Sequence, residues 1–120
     1  MNISYRTPAQ QQWVESISQG NPDKLFRNII TAIGNYFGTI FPTSHIRCRI
    51  IPRQDKCPWG ISVKWSALIF IATDDEFIPT TIHELLHIFC PDWNEEKVEQ
   101  TARAIFTRNA YSFGLRMYLY

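Results

Sequence analysis

Along the chain the spacing of apolar residues passes from helical to alternating to continuous and back to helical, and each change predicts an element. Residues Pro8 to Ser18 predict a short helix, and Asn21-Pro22-Asp23 reads as the cap of a second. Leu25, Phe26, Ile29, Ile30, Ile33 and Phe37 recur at helical spacing, so this second helix lays one stripe on the core and ends near Gly38. Beyond Phe41-Pro42-Thr43 the period falls to two. Ile46, Cys48 and Ile50 alternate with Arg47 and Arg49, as in a half-buried strand with its cationic side in water. Pro52 to Gly60 carries turn residues, Ile61 to Trp65 predicts the next strand, and the unbroken apolar run Ala67 to Ala72 predicts a strand covered on both faces.

Thr73-Asp74-Asp75 is placed to cap a further helix, in which Pro79 is tolerated because the first turn needs no helical N–H. Pro91 stops that helix at Cys90. Ile82, Leu85, Leu86, Ile88 and Phe89 make it apolar nearly all the way round, which is the pattern of a buried helix. Trp93-Asn94 opens the last helix, with Val98, Ala102, Ile105 and Phe106 as its stripe, and the aromatic tail Met117 to Tyr120 is expected to pack. The expectation is an α+β fold: N-terminal helices, a small three-stranded and mainly antiparallel sheet, then two helices, in one domain over residues 1–120.

Composition adds limits rather than a function. Hydrophobic side chains make up 45% of the 120 residues and aromatics 14%, enough for one core and no separate regulatory domain. A net charge of +1 gives no overall field for nucleic acid or a membrane surface. The N-terminus has a lone Arg6 and no apolar segment, so no signal peptide is read, and no apolar run is long enough to span a bilayer. The cytoplasm of the producing or host cell is the expected location. Cys48, Cys57 and Cys90 are odd in number and lack CxxC spacing, so they are expected to be buried free thiols.

Chemistry enters with His83-Glu84-Leu85-Leu86-His87. Residues four apart on a helix differ by about 40° in direction and about 6 Å in height, so both imidazoles can converge on one zinc ion. Glu84 sits about 60° round from His87, flanking that point, where it can act as general base toward a water. A buried helix with two histidines and a glutamate needs partners for all three, and a metal with its water supplies them.

A catalytic zinc takes three protein ligands and leaves one position for water. The only other histidine, His45, lies far upstream, which leaves a carboxylate as the natural third ligand. Cys90 shares the histidines' face but is too far along the axis, and Asp92 follows the helix break. On the next helix Glu95 falls inside the apolar stripe, Glu99 at its edge, and Glu96 points away with Gln100 and Arg103. Glu95 is therefore the expected ligand, with Glu99 accepting a hydrogen bond from a ligand histidine. The alternative makes Glu99 the ligand, and Glu96 is a third candidate. All three also suit the first turns of a helix as plain dipole partners.

The segments T-I-H-E-L-L-H-I-F and E-E-K-V-E-Q-T-A, between Thr81 and Ala102, resemble the gluzincin zinc metallopeptidases, in which a Glu on the next helix completes HExxH. More narrowly they are similar to compact phage- or prophage-encoded proteins near the ImmA/IrrE-like peptidases. The resemblance covers about a fifth of the chain. It implies a zincin-like fold, Zn2+ on His83, His87 and Glu95, Glu84 as catalytic base, and a protein or peptide substrate. It also implies that the strand Ser66 to Ala72 runs by the cleft, where an extended peptide would add as a further strand.

Two other readings stay open on the sequence. In a deformylase-like amide hydrolase an upstream cysteine, Cys57 or Cys48, would be the third ligand. In a non-catalytic zinc-containing binding or regulatory protein, Arg47, Arg49, Arg53 and Lys56 would offer a basic strand to an acidic partner or phosphate backbone, although such residues also suit the wet face of an edge strand. His45, Tyr111 and Arg116 are candidate proton donors or oxyanion helpers.

Overall fold

The computed structural model describes residues 2–42, 46–51, 60–63, 68–72 and 76–109. Its order is β1 (Asn2–Tyr5), α1 (Pro8–Ile17), α2 (Pro22–Phe37), β2 (Arg47–Ile51), β3 (Gly60–Val63), β4 (Leu68–Ala72), α3 (Phe77–Phe89) and α4 (Glu95–Arg108). The mixed α+β class is as expected.

The sheet differs from the expected one. Among the described residues it has four strands in the order β1-β2-β4-β3, with β1–β2 and β2–β4 parallel and only β3–β4 antiparallel. The added strand, Asn2–Tyr5, pairs Ile3 with Cys48 and Tyr5 with Ile50. It is too short to show a period before α1 begins, and α1 and α2 together form the crossover that a parallel pair requires. The arginine-bearing β2 is thus an inner strand, with Cys48 and Ile50 buried and Arg47 exposed. Of the strand expected along Ser66 to Ala72 as a peptide-binding edge, the described part, β4, is flanked on both sides, by β2 and by β3, so it offers no free edge among the described residues.

Side chains explain the helix ends. The Asn21 Oδ1 accepts from the Lys24 N–H at 3.1 Å, capping α2 as its position in Asn-Pro-Asp suggests. Gly38 closes α2 at φ 69°, while the Thr39 N–H reaches back to the Gly34 carbonyl at 2.9 Å. A Cβ on Gly34 would lie 2.5 Å from the Thr39 carbonyl oxygen. That oxygen belongs to backbone held by the cap, so it cannot swing aside. Gly34→Ala is expected to lower the unfolding free energy in a urea titration by about 2 kcal/mol, and Gly38→Ala by about 1 kcal/mol through its left-handed φ.

Helix α3 is the centre of the packing. It rests on β3 and β4 and against α2 and α4. At its start Phe77 meets Trp13 of α1 and Phe26 of α2 edge-on, at centroid distances of 5.2 and 6.1 Å. At its end Phe89 stacks on Phe41 at 4.3 Å, and Phe37 bridges Phe41 to Trp93. Aromatic contacts at both ends fix the rotation of α3, and Ile82, Leu85 and Leu86 between them are fully buried. The capping segment expected at Thr73-Asp74-Asp75 and the aromatic tail lie outside the described residues. Among the described residues no helix is long and apolar enough to cross a membrane.

Cys48 is a buried free thiol on β2, and Cys90 is a half-buried one. Burial pushes the Cys48 thiol far above its ordinary value of 9.0. The unfolded chain ionises there while the native protein does not, so this contribution to stability is complete below about pH 9 and is lost as the pH rises above it. In alkaline denaturant titrations wild type should lose up to about 1.4 kcal/mol more per pH unit than Cys48→Val. Equal slopes would mean that the native thiol ionises.

Candidate metal centre

Helix α3 puts His83 and His87 one turn apart on the face turned to α4. The chain breaks at Cys90 and reopens at Asn94, whose side chain caps α4 by accepting from the Lys97 N–H at 2.8 Å. Glu95 is consequently the first residue of α4, where the helix dipole favours a carboxylate. Its two oxygens meet the two rings: Oε1 lies 2.6 Å from His83 Nε2 and Oε2 lies 2.9 Å from His87 Nε2. The two Nε2 atoms are 3.1 Å apart. The imidazoles are largely covered, at 14% and 17% exposure, and Glu95 closes the group from the solvent side at 71%. Among the described residues His83, His87 and Glu95 are the set whose donor atoms converge as metal ligands would.

The other nitrogen of His83 is occupied. Its Nδ1 lies 2.6 Å from Glu99 Oε2, and the Nδ1–H donates because a carboxylate can only accept. The second Glu99 oxygen accepts from Arg103 Nε at 2.9 Å, and Arg103 Nη2 lies 2.8 Å from Glu76 Oε2 at the start of α3. Desolvation pushes the Glu99 carboxyl up, but the hydrogen bonds and charges of Arg103 and His83 outweigh it and leave Glu99 below the usual carboxylate range. The bond to Glu99 raises Arg103 above its ordinary value, against the lowering effect of its partial burial and with further help from Glu76.

This arrangement tests whether the residues suit a metal. With the His83 proton on Nδ1, its Nε2 carries a lone pair that faces a carboxylate oxygen and a second imidazole nitrogen. Protons on both Nε2 atoms would satisfy Glu95 but would face each other across 3.1 Å. A cation held by these residues would satisfy all three contacts together. Two nitrogens and a carboxylate oxygen are the donor set zinc takes, and the corners of a tetrahedron with bonds of about 2.0 Å are about 3.3 Å apart. Taking one oxygen of Glu95 as the ligand, the three donor atoms lie within 4.8 Å of one another, so a modest adjustment of the side chains would bring them to that spacing.

Other expected residues fall elsewhere. Glu96 is exposed, accepting from Gln100 at 3.3 Å, as its projection away from the stripe suggests. Asp92 is an exposed turn residue, and Cys90 lies outside the converging group. Cys48 is buried in the core on β2 and lies outside the converging group, which argues against it as a ligand in the deformylase-like reading. His45, Arg53, Cys57, Lys56, Tyr111 and Arg116 lie outside the described residues. Glu84 is buried at 5% exposure on α3. Arg103 is exposed, on the side projected with Glu96 and Gln100, and its long side chain pairs with Glu99 one turn back and with Glu76, partners that the projection does not name. Glu76 has no motif to mark it, and only its position seven residues before His83, two turns along one face, carries a signal.

Comparison of the chain with protein-family models, with curated proteins and with solved structures finds no match.

Proposed function

We propose that this chain is a zinc-dependent hydrolase of peptide bonds, of gluzincin type and closest in kind to the compact phage- or prophage-encoded ImmA/IrrE-like proteins. One observation carries the reading: two imidazole nitrogens of an HExxH helix and a carboxylate of the next helix converge within 3.1 Å of one another. His83, His87 and Glu95 would hold the metal, with Glu99 fixing His83. Zinc bound there would lower the pKa of a water in its open position toward about 7 and polarise the substrate carbonyl.

The chain's own residues do the remaining work. Glu84, next to His83 and outside the ligand set, takes the proton from the attacking water and returns it to the leaving amine. The Glu99 hydrogen bond keeps the His83 proton on Nδ1, which leaves Nε2 free as a donor atom. Strand β3 packs against α3 and among the described residues pairs only with β4, so an extended peptide would add along β3. That moves the substrate strand from the expected position on β4 to its neighbour.

The test is hydrolysis of a mixed peptide library by the zinc-loaded protein. Cleavage is expected, is lost on treatment with a chelator, and returns when zinc is restored. Bound zinc without cleavage would make this a zinc-holding binding protein, and failure to take up zinc would end the metal reading altogether.

A further inference from the structure

The side chains around the candidate centre form a connected line that crosses between the two helices. Glu76 at the start of α3 meets Arg103 of α4 at 2.8 Å, Arg103 meets Glu99 one turn earlier on α4 at 2.9 Å, and Glu99 returns to His83 of α3 at 2.6 Å. Together with His87 and Glu95 the pairs run in opposite order along the two helices, as antiparallel neighbours require. The spacing is regular: Glu95, Glu99 and Arg103 stand four apart on α4, and Glu76, the residue just before α3, stands seven before His83. We propose that Arg103 and Glu76 are positioning residues of this centre, which hold the Glu99 carboxylate so that it fixes the ring angle and the tautomer of His83.

Exposure decides between this role and a plain contribution to stability. Arg103 is 49% exposed, Glu76 36% and Glu99 46%. Ion pairs this open to water add little to folding. Orientation is another matter. A carboxylate hinged at one methylene can rotate away from His83, but Glu99 has its second oxygen bound to Arg103 Nε, and the same guanidinium plane is held at Nη2 by Glu76. The planar fork meets Glu99 through a hydrogen bond at Nε and Glu76 through an ion pair at Nη2. A lysine ammonium is a point charge and fixes no angle between them.

The proposal rests on the zinc reading for its purpose, yet its first readout needs no metal. In the metal-free protein, nitrogen-15 shifts of the His83 ring, taken at a pH well above the histidine range, report the tautomer. Wild type should be dominated by the Nδ1–H form. Arg103→Gln should shift toward a mixture of tautomers and bind zinc, in competition with a chromophoric chelator, about tenfold more weakly. Glu76→Gln should move both readouts the same way by less, and Arg103→Lys should fall between Arg103→Gln and wild type. The Arg103→Gln/Glu76→Gln double variant should be no weaker than Arg103→Gln, because the two act along one line. Melting temperatures of the metal-free variants, within a few degrees of wild type, separate positioning from unfolding. Arg103→Gln with the wild-type tautomer and zinc affinity overturns the proposal, and so does a double variant with additive losses. If wild type binds no zinc, the functional reading fails, and the tautomer shift alone decides whether Arg103 positions His83.

Discussion

Glu84→Gln is expected to slow peptide hydrolysis about a thousandfold while leaving bound zinc in place. The amide has nearly the shape of the carboxylate, and Glu84 lies outside the converging group of His83, His87 and Glu95, so neither the ligand geometry nor the packing of α3 should change. What is lost is the ability to accept a proton. At 5% exposure Glu84 sits where bulk water cannot readily replace it as a base. Glu84→Asp sharpens the prediction. It keeps the carboxylate but withdraws it by one methylene, and displacement of a reacting group by about 1 Å costs on the order of a hundredfold. The expected order of rates is wild type, then Glu84→Asp, then Glu84→Gln, with metal analysis showing the same zinc content in all three. Equal rates for wild type and Glu84→Gln would remove the base assignment and leave the metal site standing.

Three of the helices were legible in the sequence from strong local signals: α2 had a cap, a period and a stop, α3 an apolar run and a stop, and α4 a cap and a period. Asn21 and Asn94 mark the starts of α2 and α4 and do act as caps, and Gly38 and Pro91 mark the ends of α2 and α3. Helix spacing alone also put the two histidines on one face and favoured Glu95 over Glu96, the same set that converges in three dimensions. The sheet was harder to read. Strand order and direction are set by which edges meet after the chain has looped back, and nothing in Ile46 to Ile50 says whether its neighbours run with it or against it. The strand Asn2–Tyr5 has four residues, too few for alternation to stand out from chance. The partners of Arg103 were missed for a different reason. A projection sorts residues by distance from the apolar stripe, while Arg103 stands one turn from Glu99 and its long side chain also reaches Glu76 of the neighbouring element.

Zinc added to the metal-free protein is expected to raise its unfolding free energy by about 4 kcal/mol when free metal exceeds the dissociation constant a thousandfold. For a chain of this size that is a rise of about 15 °C in melting temperature. The size of the effect follows from where the ligands sit. His83 and His87 belong to α3 and Glu95 to the first turn of α4, so a bound metal would tie the two helices beside the turn that joins them, and separating them would cost a ligand bond. Glu95 at 71% exposure contributes little packing of its own. Glu95→Ala should therefore leave the metal-free melting temperature nearly unchanged and remove most of the zinc-dependent rise. Glu99→Ala should keep a reduced rise, because it loosens His83 without removing a donor atom. The competing assignment of Glu99 as the third ligand predicts the reverse order for these two variants, so differential scanning calorimetry with and without zinc decides between them. Equal zinc shifts in wild type and in both variants would mean that the metal is held elsewhere, and the centre between α3 and α4 would lose its role.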